Sequence, residues 1–225
     1  MKKIILIFLL FTAFANIFAQ DYAPGDNEYL FTPTAYTMPK GNSYFTDYEL
    51  FLLNYTYAVT DRTHLGVFIP FPITTDLLKL LSFGVKQNYL KTDWIQSAVY
   101  ASYTFDTAQL IFGNSLSIGK PSNGANLSAG ITKFFKDSNA FGFLVSFGYR
   151  FDPSKNTSLI AEISQIFVED NGPDVITTFP GGLISVAFRI RSTHLSWDLG
   201  AFRSLDMQDA GIIAFPVLKV SYYFF

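Results

Sequence analysis

From Ser43 to the C-terminus the chain repeats segments of about ten residues in which apolar and polar side chains alternate with a period of two. The pattern is plainest in Phe141, Phe143, Val145, Phe147, Tyr149 and Phe151, set against Gly142, Leu144, Ser146, Gly148 and Arg150. It recurs in Ile184, Val186, Phe188 and Ile190 against Ser185, Ala187, Arg189 and Arg191, and in Leu65, Val67, Ile69 and Phe71 against His64, Gly66, Phe68 and Pro70. Period two places each set on one face of a β-strand. Strands of this kind build either a soluble sandwich or a barrel whose apolar face meets lipid.

Composition favours lipid. With 25 Phe, 13 Tyr and only 15% charged residues, the chain is aromatic-rich and charge-poor for a soluble protein of 225 residues. Met1-Lys2-Lys3, the apolar run Ile4 to Phe14 and the small residues Ala13, Ala15 and Ala19 read as a secretory signal peptide over 1–19, cut before Gln20. No later stretch offers the roughly 18 apolar residues a helix needs to cross a bilayer, so any crossing is made by strands. The chain has no Cys, which excludes a lipidated N-terminus and disulfide staples. Of 16 basic and 18 acidic residues, Lys2 and Lys3 leave with the signal, so the mature balance is 14 against 18, or −4. That balance gives no footprint for nucleic acid.

The rhythm predicts an all-β, antiparallel transmembrane barrel over 43–225 with about twelve strands: 43–51, 53–60, 63–71, 79–90, 95–105, 109–119, 126–135, 140–151, 157–168, 183–192, 195–205 and 211–225. The first hairpin is the weak point, because Phe51-Leu52-Leu53-Asn54 holds no turn residue. Residues 20–42 carry Pro24, Gly25, Pro33, Pro39 and Gly41 without a period, and read as an extended segment, periplasmic or plugging the lumen. Counting back from the C-terminus puts the short turns on the periplasmic side. The longest connections, 72–78 and 169–182, then fall outside.

In the last strand Ile212, Ala214, Pro216, Leu218, Val220, Tyr222 and Phe224 share one face, and Val217, Lys219, Ser221 and Tyr223 the other. The ending Tyr222-Tyr223-Phe224-Phe225 resembles the C-terminal signature of bacterial outer-membrane barrels, which implies recognition by the barrel assembly machinery, although Phe225 stands one residue out of register. Tyr57-Ala58-Val59-Thr60-Asp61-Arg62 with Leu65-Gly66 resembles the strand–turn–strand of porin-like proteins, with Ala58 where those have Gly. Leu30 to Ala35, Lys40-Gly41, Tyr48 to Phe51 and Gly182 to Val186 are similar to a group of small, largely uncharacterised outer-membrane barrels. The resemblance implies location in the bacterial outer membrane and a barrel fold. It implies no substrate.

Chemistry is sparse. The only histidines, His64 and His194, fall at turns on hairpins far apart and read as interfacial polar residues. No nucleophile elbow, phosphate loop or metal cluster accompanies them, so the expectation is a non-enzyme without cofactor or metal. The inward positions are more informative. Gly113, Ser115, Ser117, Gly119, Ser128, Gly130, Gly142, Ser146 and Gly148 make one wall small, while the expected lumen charges are Lys86, Arg150, Glu162, Arg189, Arg191, Asp198 and Lys219. Arg189 should stand opposite Asp198 in a tight hairpin. These features fit a narrow passive channel for a small hydrophilic solute. That channel is the favoured reading, and its rival is a closed structural or assembly-partner barrel whose lumen is filled by ion pairs and plugged by residues 21–42 or 169–182. A soluble exported sandwich is the remaining alternative.

Overall fold

The computed structural model describes residues 22–49, 51–71, 74, 77–136, 141–169, 182–205 and 214–225. The expected signal peptide over 1–19, Ile212 and nearly all of the 169–182 connection lie outside the described residues. Twelve antiparallel strands close into a single barrel: β1 Ser43–Tyr48, β2 Leu52–Thr60, β3 Thr63–Pro70, β4 Ser82–Lys91, β5 Ile95–Thr104, β6 Gln109–Lys120, β7 Asn123–Phe134, β8 Phe141–Ser154, β9 Thr157–Glu169, β10 Leu183–Arg191, β11 Leu195–Ser204 and β12 Phe215–Phe224. Each strand pairs with its neighbours in sequence, and β1 pairs with β12 from Ser43↔Phe224 to Tyr48↔Lys219. Closure removes every free sheet edge, which a strand-built structure in lipid requires.

The alternation sets which way the side chains point. In β10 the burial alternates residue by residue, with Ser185, Ala187, Arg189 and Arg191 buried and Ile184, Val186, Phe188 and Ile190 exposed. In β12 Val217, Lys219, Ser221 and Tyr223 are buried, while Pro216, Leu218, Tyr222 and Phe224 face out. The outer surface is therefore a continuous apolar band, including Leu65, Val85, Phe112, Leu127, Phe147 and Leu199. Aromatic residues gather at its two rims: Tyr57, Trp94, Trp197, Tyr222 and Phe224 at the short-turn end, and Phe71, Phe105, Phe135, Phe141 and Phe167 at the long-loop end. A band flanked by aromatic girdles is the surface a bilayer-spanning barrel presents.

The first hairpin forms without turn residues. Phe51 N–H donates to Tyr48 O at 3.0 Å, and Glu49 adopts φ 56°, a left-handed conformation uncommon outside glycine. β4 starts at Ser82, three residues later than its apolar pattern suggests, because Leu77–Leu80 forms a 3₁₀ turn. β7 starts three residues earlier, since a two-residue turn at Pro121-Ser122 joins Lys120 to Asn123 directly.

Candidate functional site

The inside of the barrel is occupied by the chain's own N-terminal segment. It enters at the short-turn end with Tyr22, reverses near Leu30-Phe31 and returns to the same end before β1. Tyr29 N–H donates to Thr32 O at 2.9 Å and Thr34 N–H to Asn27 O at 3.1 Å, around a single bridge between Glu28 and Pro33. Two sequence features favour this irregular path. Pro33 and Pro39 exclude helix and supply no N–H for a ladder. Gly25 sits at φ 88°, and a side chain there would collide with the Arg189 guanidinium.

Because the segment makes few backbone bonds to itself, its carbonyls and amides turn to side chains of the wall. All seven expected lumen charges point inward and touch this hairpin or its partners. Arg189 is fully buried; it holds Asp198 in a bidentate pair (2.6 and 2.7 Å) and donates to the carbonyls of Gly25 and Glu28. Lys219 donates to Tyr29 O at 2.7 Å and pairs with the Glu28 carboxylate at 2.9 Å. Lys86 donates to the carbonyls of Asn27, Thr34 and Tyr36. Glu162 accepts the Thr32 N–H at 2.8 Å, the Phe31 N–H and the Ser185 hydroxyl. Arg150 bonds Asp26 at 2.7 Å and Asp152 at 2.9 Å, and Arg191 joins the same two carboxylates at 3.5 and 2.5 Å.

The small wall receives the returning arm. Pro33 O accepts from Ser115, Asn126 and Ser128 within 3.1 Å, and Ala35 bonds Ser117 through its N–H and Asn88 through its carbonyl. A Cβ at Gly148 would stand 2.5 Å from the Tyr29 ring, so this glycine is a socket for an aromatic side chain. Burial pushes the Tyr29 and Tyr36 phenols well above their ordinary pKa, and both act as neutral donors, to Gly124 O and Gly119 O.

His64 is not an interfacial residue: it is buried inside the barrel, and its Nε2 accepts the Met38 N–H at 2.8 Å where the hairpin leaves. The reason is register, since His64 shares the inward face of β3 with Gly66 and Phe68. His194 does lie at a turn, with its ring against Tyr222 and Phe225.

Asp26, Asn27 and Glu28 join the site without a strand period to announce them, and Asp152 joins it because β8 runs to Ser154, past its expected end at 151. Charge balance is the signal that finds them. The expected lumen set holds five cations and two anions, an excess of three positive charges that Asp26, Glu28 and Asp152 cancel.

Part of the interior beside the hairpin stays open. A cavity of about 370 Å³ separates the hairpin from β2–β6 and reaches the long-loop ends of those strands at Phe68, Ser82 and Thr104. Among the described residues no cluster of His, Cys, Asp and Glu could hold a metal ion.

No protein-family model and no curated protein matches this chain. Among solved structures, a triple mutant of the Rh. blastica porin is similar at 11% identity and a TM-score of 0.38, covering 77% of this chain and 55% of that one. LpxR from Salmonella typhimurium is similar at 9% identity and a TM-score of 0.43, covering 82% of this chain and 99% of its own. The present chain thus spans 55% of the length of the porin it matches.

Proposed function

We propose that this protein is a non-catalytic bacterial outer-membrane β-barrel held closed by its own N-terminal hairpin, exported by a cleaved signal and delivered to the assembly machinery through Tyr222 to Phe225. The apolar band with its two aromatic rims supports the membrane location. One observation carries the closed reading: three of the five lumen cations that could orient a passing solute instead bind the backbone of residues 25–36, with Arg189, Lys86 and Lys219 each donating to more than one of its carbonyls. An interior in which these charges are paired and hydrogen-bonded leaves no free charge to steer a solute through.

Fractionation and bilayer recording test this reading together. The protein should be recovered with detergent-extracted outer membranes and migrate differently on gels before and after boiling. Wild-type protein should give no conductance steps, whereas a variant lacking residues 22–38 should conduct. A second reading, a narrow passive channel for small solutes, draws support from the 370 Å³ cavity beside the hairpin. Conductance by wild-type protein would favour it and end the closed reading.

A further inference from the structure

The geometry points to a binding site in that cavity: a dead-end cup for a small, neutral, hydroxyl-rich solute of monosaccharide type, entered from the long-loop end. The inference rests on the closed reading, because Asn27, Glu28 and Pro33 of the seated hairpin form its floor. Its volume of about 370 Å³ falls within the range of about 300–1,000 Å³ typical of small-molecule sites.

Glycine placement indicates that the space is built. Gly66 and Gly84 are paired directly across β3 and β4, and both face the cavity. A Cβ at Gly66 would meet nothing closer than 3.4 Å, and one at Gly84 nothing closer than 3.5 Å. Neither residue has a positive φ. Packing and backbone conformation would therefore admit a side chain at both places, and its absence keeps the cup open. On the far wall Gly113 and Gly130 are different, since the Tyr100 phenol lies over them, within 2.5 and 3.1 Å of a Cβ built there.

The chemistry of the lining selects the ligand. Charged and basic groups at the floor are already engaged: Lys86 holds three carbonyls, His64 accepts from Met38 and the Glu28 carboxylate pairs with Lys219. Among the described lining residues, what remains toward the mouth is neutral, namely the Tyr100 and Ser102 hydroxyls, which bond nothing among the described residues, the Asn54 amide, and the Ser82–Thr104 hydroxyl pair at 2.7 Å. Neutral donors and acceptors around the Tyr44, Phe68 and Tyr100 rings match a molecule with both hydroxyls and C–H faces. An ion entering the same space would lose hydration without gaining a counter-charge.

Calorimetry and saturation-transfer NMR on the purified, folded barrel test the cup, with glucose, galactose and mannose as neutral probes and gluconate and glucosamine as charged ones. At least one neutral sugar should bind saturably. Gly84→Val should weaken it about tenfold or more by filling the cup, with the gel shift on boiling unchanged; Tyr100→Phe should weaken it about fivefold, the worth of one neutral hydrogen bond. Absence of saturation by all three sugars overturns the proposal. So does equal binding by a folded Gly84→Val protein, or tighter binding of either charged probe. Bilayer recordings on the same preparation separate the failures: a silent barrel that binds no sugar refutes the cup alone, and a conducting one refutes the closed reading.

Discussion

Tyr44 on the first strand and Tyr223 on the last stack across the seam where the barrel closes, with ring centroids 5.0 Å apart and planes inclined by 21°. Asn27 of the hairpin clamps them. Its Nδ2 donates to the Tyr44 hydroxyl at 2.6 Å, and its Oδ1 accepts from Tyr223 at 3.1 Å and Tyr22 at 2.8 Å. Asn27→Ala leaves these buried hydroxyls short of partners and should cost about 1–3 kcal/mol in urea unfolding from lipid vesicles. An unchanged midpoint would mean that the hairpin contributes nothing to the seam.

The Arg189–Asp198 pair distinguishes a wet lumen from a packed one. Both residues are essentially inaccessible to solvent, so Asp198→Ala should strand a buried guanidinium and cost about 3–5 kcal/mol. A water-filled lumen would screen the pair and limit the loss to about 0–1 kcal/mol. Denaturant unfolding of the two proteins in the same vesicles decides.

Gly148 and Tyr29 should be energetically coupled. Gly148→Ala drives a methyl into the Tyr29 ring and should destabilise by about 1–3 kcal/mol. In a Tyr29→Ala background the same substitution should cost almost nothing, a non-additivity that a double-mutant cycle measures directly. Additive effects would show that the ring does not occupy the glycine socket.

For the lipid face, Val186 is the appropriate probe. It lies mid-strand in β10 and is 56% exposed, and Val186→Arg should cost about 2–4 kcal/mol. Val220, equally outward by register, pairs with Asp47, which would offer an introduced arginine a partner. Ser221→Arg is not a mild control either, because Ser221 is buried and hydrogen-bonded to Thr46 at 2.7 Å. Insertion of Val186→Arg as efficient as wild type would contradict the inward and outward assignment.

Alkali should loosen the hairpin. The Tyr29 and Tyr36 phenols are raised by burial above their ordinary value of 10.0, so the folded state binds more protons than the unfolded chain once the pH exceeds that value. Their contribution is fully present below about pH 10 and is lost as pH rises beyond it. Urea midpoints measured from pH 8 to 11 should fall at the upper end. The Tyr29→Phe, Tyr36→Phe double variant should show a flatter profile.

The barrel is legible in the sequence because lipid on one side and packing on the other force a period of two that local propensity alone would not produce. The first hairpin obeys that pattern even where turn chemistry is missing, with Glu49 in a left-handed conformation in place of a glycine or asparagine. The hairpin inside the lumen has no comparable signature. Its amides and carbonyls are satisfied by Glu162, Lys86, Asn88, Asn126, Lys219 and serines from strands 50–190 residues away, and such partners impose no periodicity on residues 22–38. Composition of the lumen points to it only indirectly, through positive charge in excess of the strands' own acids.

The bond from Gly25 N–H to the Tyr223 hydroxyl joins residues 198 positions apart, and Lys219 reaches back 190 positions to Tyr29. The N-terminal segment is therefore the last to be seated, since part of its berth, Lys219 and Tyr223, is made by the final strand. Until that segment docks, the five lumen cations face only the acids of the wall, Glu162, Asp198 and Asp152. The wall alone is thus electropositive, and the interior is neutralised and closed by the seated N-terminal segment rather than by the last rung of the sheet.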